Sequence, residues 1–235
     1  MTSATALTHT STSRPQRRGR GWLVAAGLVL LSVIPVLGGA FRLTELSGGA
    51  AITADNARFF AAPVPIVAHI IGATVYSLLG AFQFVPALRG RRGWHRIAGL
   101  ILIPAGLIAA LSGLWMAVFV TSTADAGGML LLTLRLIFGS AMTAFIILGI
   151  GAIRRRDFSR HGAWMTRAYA LGVAAGTQAI IFAIWIIGGG PTDELTVAVM
   201  MGAAWVINAT VAELVIRRRS RRVGVVRSPV GAAVS

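Results

Sequence analysis

Polar residues punctuate this chain and apolar residues fill it. From Trp22 to Ala40 there is no charge, and five further apolar runs follow at about Pro65 to Pro86, Ile97 to Val120, Met129 to Ala152, Trp164 to Ile187 and Leu195 to Ile216. Each is close to the ~20 residues a helix needs to cross a bilayer core. Lipid offers backbone N–H and C=O groups no partner, so a single segment must satisfy them internally, as a helix does. The pattern therefore predicts an all-α polytopic membrane protein with six transmembrane helices in one bundle. Pro35 predicts a kink in the first span, because it removes one backbone hydrogen bond.

The segments outside the runs read differently. Residues 1–21, rich in Thr, Ser and Arg, and residues 217–235, opening on Arg217-Arg218-Arg219, are read as disordered basic tails flanking a transmembrane domain at 22–216. Arg14, Arg17, Arg18 and Arg20 ahead of an apolar run also resemble a signal peptide, but the length of the run favours an uncleaved first helix. The longest link, 41–62, is polar and small, with a short surface helix expected from Asp55 to Phe60. Gly188-Gly189-Gly190-Pro191 reads as a turn into a helix started by Thr192 and two acids.

Composition agrees with a membrane chain: 56% of the 235 residues are hydrophobic, 12% are charged, and the mean hydropathy is +0.77. Twenty-two basic residues, all arginine, against seven acids give a net charge of +15. In a soluble protein that excess would suggest nucleic acid; here the arginines sit at the ends of apolar runs, which excludes nucleic acid as the expected partner. Eighteen lie in the two tails and in the links after spans two and four, while the other three links hold Arg42 and Arg58 and five of the acids. By the positive-inside rule both termini are cytoplasmic. The absence of cysteine excludes disulfides, thiolate metal sites and thiol nucleophiles.

Span two carries His69, Tyr76 and Gln83 at intervals of seven, one stripe along an apolar helix, expected to face the bundle interior. Span three answers with Gly99, Gly106 and Gly113, and span five with Ala168, Gly172 and Gly176. Such grooves admit a neighbouring helix or a flat ligand, and packing is their commoner use. Arg135 lies inside span four at about the depth of His69, either as a functional charge or snorkelling to the outer interface. Gln178 in span five is a further buried polar candidate.

At the cytoplasmic ends, His95 and His161 occupy equivalent places in two blocks of Arg, His and Trp, and three readings are open. They are axial and metal ligands of a haem b held between spans three and five, with Arg96 and Arg167 on the propionates. Alternatively, the blocks bind anionic lipid head groups or a phosphorylated small molecule. In the third reading they only anchor helix ends in the interface.

Gly80-Ala81-Phe82-Gln83-Phe84, Trp94-His95-Arg96-Ile97-Ala98-Gly99 and Arg160-His161-Gly162-Ala163-Trp164-Met165-Thr166-Arg167 together resemble the bacterial multipass proteins of the domain of unknown function family 2306. The resemblance covers about residues 65–185. It implies a protein of the bacterial cytoplasmic (inner) membrane and supplies no reaction. The family pattern has an arginine late in span five where this chain has Thr177-Gln178.

Function stays between two classes at this stage. One is a membrane electron-transfer protein with bis-histidine haem; the other is a non-enzymatic transporter, sensor or scaffold binding anionic lipid or a small solute. No acid falls inside spans one to five, which speaks against proton-coupled transport. Nucleophile elbows and metalloprotease pairs are missing from the sequence, so no enzyme class is assigned. The expected partners are the bilayer and anionic head groups, with a homo-oligomer left open.

Overall fold

The computed structural model describes residues 16–54, 56–89, 93–120 and 128–226, and among these it contains helices and links and no strand. The long helices are α1 (Gln16–Ser47), α3 (Pro63–Ala81), α5 (Trp94–Phe119), α6 (Gly128–Arg154), the pair α7 (Phe158–Gly172) and α8 (Ala174–Ile187), and α9 (Glu194–Val226). Short α2 (Ala57–Ala61) and α4 (Pro86–Arg89) lie in the links. Six segments are long and apolar enough to cross a membrane, α7 and α8 together forming the fifth. Six crossings return the chain to the end from which it started, here termed the basic end.

Several element boundaries differ from the sequence reading. Helix α1 already begins at Gln16, and α9 runs on through Arg217–Val226, where a tail was expected. A helix nucleated in the membrane extends at little cost through arginines, which are good helix formers. The remaining tail residues, 1–15 and 227–235, lie outside the described residues, as do Asp55, Gly90, Arg91, Arg92 and the link 121–127. Span two stops at Ala81 and tightens into a 3-10 turn, Phe82–Phe84. At the start of α9 Asp193, not Thr192, is the cap: its carboxylate accepts from the Thr196 N–H and hydroxyl.

The link from α6 to α7 is very tight. Arg156 takes φ +61, and the N–H groups of Arg156 and Asp157 donate back to Ile153 and Ala152, both at 3.0 Å. This is the left-handed C-terminal turn that helices usually make with glycine. Asp157 then caps α7 by accepting from the Arg160 N–H at 2.9 Å.

Packing follows the small residues. Gly72 of α3 lies against the backbone of Ala105 and Ala109 in α5, so these two helices approach closely. In α1, Pro35 cannot donate to the Leu31 carbonyl, and that carbonyl stands against Gly176 of α8. Helix α7 packs on α6, α9 and α3, whereas α8 packs on α9 and α1. At Val173 span five thus exchanges α6 and α3 for α1 as neighbours while keeping α9.

Candidate functional site

Three of the groove glycines, Gly106, Gly113 and Gly172, are covered by the protein's own side chains. The Tyr76 ring lies between Gly106 and Gly172, and His69 rests on Gly113, where an added Cβ would stand 3.2 Å from its ring. Because α3 and α5 run antiparallel, the His69–Tyr76 spacing of seven matches the Gly113–Gly106 spacing of seven in reverse. Gly99, the third of the series, has nothing near it, and its expected counterpart Gln83 falls in the 3-10 turn, outside the helical period. Gln83 is nevertheless a part-buried side chain within the fold. At Gly106, Gly113 and Gly172 the space is taken by packing of a tyrosine and a histidine.

His69 accepts a defined tautomer from this setting. Its Nδ1 lies 2.8 Å from the Ala109 carbonyl, which can only accept, so Nδ1 donates and the neutral ring presents Nε2 as an acceptor. Tyr76 is 4% exposed, and its hydroxyl has no hydrogen-bond partner among the described residues. Neighbouring Tyr169, by contrast, donates to the Ser77 carbonyl at 2.7 Å and packs its ring 5.7 Å from that of Tyr76.

The break in span five is held by polar side chains of α9 and α8. Asn208 donates to the Ala170 carbonyl at 3.0 Å, replacing the helical partner lost at the break, and accepts from the Thr177 hydroxyl at 2.9 Å. Gln178, one residue on, lies 3.4 Å from the Met201 carbonyl. Irregular backbone at this depth is tolerated only where protein groups or a cavity satisfy it.

A cavity of about 720 Å³ opens beside the break. Its wall includes His69 and Tyr76 of α3, Arg135 and Phe138 of α6, Gly172 and Gln178 of span five, and Trp205 of α9, with Arg58 and Phe59 of α2 toward the far end. Phe138 and Trp205 stack at 5.0 Å and tie α6 to α9 along one side. At ~1.5 Å per residue, His69 and Arg135 both lie about 10 Å in from the far ends of their helices and Tyr76 about 20 Å. Three of the stripe and charge candidates therefore share one wall with Gln178, while Gln83 does not join them. Arg58, Phe138 and Trp205 were not singled out by the sequence reading; the aromatic pair has the composition of any lipid-facing surface.

The basic end is arranged differently. His95 and Arg96 are exposed in the first turn of α5. His161 is part-buried, with Nδ1 2.9 Å from the Gly149 carbonyl of α6. Arg167 makes a two-pronged ion pair with Glu213 of α9, one prong at 3.0 Å, and lies 4.7 Å over the Trp164 ring. Arg167, expected on a propionate, is thus engaged with Glu213 of the protein itself, and neither His95 nor His161 is among the residues that line the cavity. No group of three or more potential metal-ligating His, Cys, Asp or Glu side chains occurs among the described residues.

Comparison with curated proteins and with solved structures returned no match. A family model described as a predicted membrane protein, DUF2306, matches residues 66–216, well over half of the chain and all of spans three to five. The matched stretch contains His69, Tyr76, Arg135, Gln178 and Trp205 together with the broken span, and the chain belongs to the DUF2306 family of membrane proteins.

Proposed function

We propose that this protein is a ligand-binding multi-pass protein of the bacterial cytoplasmic membrane, holding a small, mostly apolar molecule in the cavity beside the span-five break. The observation that carries this reading is Tyr76: a phenol 4% exposed, in the cavity wall, whose hydroxyl the described protein leaves without a hydrogen bond. A ligand acceptor at that point would give this hydroxyl a hydrogen bond, a net contribution of ~0.5–1.5 kcal/mol. His69 Nε2 adds an acceptor to the same wall, and the cavity volume falls in the ~300–1,000 Å³ typical of small-molecule sites. A discontinuous span beside a midplane cavity is also the arrangement by which membrane carriers hold substrates.

The arginine distribution supports a cytoplasmic basic end and a cavity opening outward. Exposed Arg96, Arg154, Arg155 and Arg160 suit contacts with anionic head groups there. The haem b reading of His95 and His161 gains no support from this geometry, since one ring is exposed, the other is engaged with Gly149, and Arg167 is held by Glu213.

The test is mass spectrometry of small molecules that co-purify with the protein in mild detergent. Ala175 is among the residues that line the cavity and is exposed, so Ala175→Phe adds bulk at the wall without replacing a buried core residue. A species bound to the wild type and lost from Ala175→Phe is expected. Equal co-purification with both proteins would remove the cavity as the site.

A further inference from the structure

The cavity wall carries two polar atoms of opposite capacity. Tyr76 has an O–H to donate, and its hydroxyl has no hydrogen bond among the described residues. His69 has only a lone pair to offer at Nε2, because its proton lies on Nδ1, which donates to the Ala109 carbonyl at 2.8 Å. The ring edge bearing Nδ1 and Cε1 lies on Ala109 and Gly113, which are wall residues themselves, and Nε2 follows Cε1 round the ring. It too has no hydrogen bond among the described residues.

One helix sets the spacing of the pair. His69 and Tyr76 lie two turns apart on α3, on the same side and separated by about 10 Å of helix rise. Both rings are held by neighbours: Nδ1 of His69 by Ala109, and the Tyr76 ring by Gly106 and Gly172. A ligand that meets both atoms therefore meets a preorganised pair and spares the ordering that flexible side chains would require. Phe138, Met142, Leu171 and Trp205 give the same wall apolar area for a hydrocarbon frame.

Resting on the reading of this cavity as a ligand site, we propose that its ligand is a largely apolar molecule with two oxygen functions about 10 Å apart, a carbonyl or ether oxygen that accepts from Tyr76 and a hydroxyl that donates to His69 Nε2. Hydroxyketones and hydroxyethers have this chemistry. Molecules with acceptors alone, such as plain ketones and quinones, satisfy Tyr76 and leave His69 unmet. Water is the competing partner for Nε2, since His69 also borders a smaller cavity of about 110 Å³ with Ser32, Thr74 and Ser77. With water on Nε2, a ligand hydroxyl would gain nothing.

Calorimetric titration of the protein in lipid nanodiscs, with empty nanodiscs as the blank, separates these cases using probes on one carbon chain. They are ω-hydroxynonanone with its carbonyl beside the far methyl group, nonanone without the hydroxyl, nonanol without the carbonyl, and the isomeric hydroxynonanone whose hydroxyl sits at mid-chain. The ω-hydroxyketone is expected to bind about fivefold tighter than each of the others, every one of which loses one net hydrogen bond. His69→Phe should abolish its preference over nonanone, and Tyr76→Phe its preference over nonanol. If His69→Phe fails to fold, the comparison of probes on the wild type decides the same question. Nonanone binding as tightly as the ω-hydroxyketone overturns the His69 contact in favour of water, and nonanol doing so overturns the Tyr76 contact. Equal binding of the mid-chain isomer overturns the spacing. No saturable binding of any probe overturns the inference, and loss of a co-purifying molecule from Ala175→Phe would then still decide the broader reading.

Discussion

The Tyr76 ring of α3 is clasped by Gly106 of α5 and Gly172 of α7: a Cβ on the first would lie 2.6 Å from one ring carbon, and on the second 2.7 Å from another. Packed atoms do not approach so closely, so alanine at either position must displace the ring or the helix. Gly106→Ala and Gly172→Ala should each destabilise the protein by ~1–3 kcal/mol. Gly99→Ala, with nothing near its added Cβ, should be neutral or gain up to ~1 kcal/mol from helix propensity. Thermal unfolding in one detergent compares the three; a Gly172→Ala protein as stable as Gly99→Ala would show that the clasp is not tight.

Tyr76→Phe separates packing from binding. It keeps the ring in the clasp and removes a hydroxyl that has no hydrogen bond within the described protein. Stability should stay within ~0.5 kcal/mol of wild type or rise. A loss above ~2 kcal/mol would mean that the hydroxyl has a structural partner and would withdraw the main support for a ligand there.

Much of the fold and part of the site were legible in the sequence, for reasons that particular residues make plain. Spans are decided by length and hydropathy, properties that survive any rearrangement of neighbours. His69 and Tyr76 could be found because heptad spacing puts them on one side of one helix, and Gly106 and Gly113 for the same reason. Gln83 breaks the series because α3 ends at Ala81, a boundary with no proline or cap to announce it within the run. The interruption at Val173 was likewise unannounced: its local signal is only Gly172 and Gly176, and its support comes from Asn208, 38 residues beyond Ala170. Arg167 pairs with Glu213 across 46 residues, a relation no local spacing encodes. Phe138 and Trp205 became site residues only once α6 and α9 were brought together.

Asn208 should be the residue on which the broken span depends. Asn208→Leu leaves the Ala170 carbonyl and the Thr177 hydroxyl without this partner inside the bundle. The expected cost is ~1–3 kcal/mol. Thr177→Val should cost less, and the double variant less than the sum, because both act on one network. Additive losses in chemical unfolding would show that the two side chains work independently.

Acidification should loosen the start of α9. The Thr196 hydroxyl first, and backbone N–H groups after it, hold the exposed Asp193 carboxyl below its ordinary range. A folded value below the unfolded one means that the contribution is present above the ordinary carboxylate value and disappears as pH falls through the lowered one. The fall in melting temperature between about pH 5 and about pH 2 should therefore be smaller in Asp193→Ala than in wild type. Identical pH profiles would show that the cap does not contribute.

Orientation can be read directly, because the chain has no cysteine and any introduced thiol is the sole target for labelling. Ser47 and Pro191 are exposed at the end where the cavity opens, and Ser159 is exposed at the basic end. By the positive-inside rule, the arginine bias, eighteen at one end against two in the opposite links, predicts that the basic end is cytoplasmic. In intact cells a membrane-impermeant maleimide should label Ser47→Cys and Pro191→Cys and spare Ser159→Cys, and opening the cells should add labelling at Ser159→Cys. The reverse pattern would turn the cavity mouth toward the cytoplasm, so that its ligand would have to arrive from inside the cell. Labelling of only one of the first two positions would break the six-span count itself, since they flank spans two to five and must share a side.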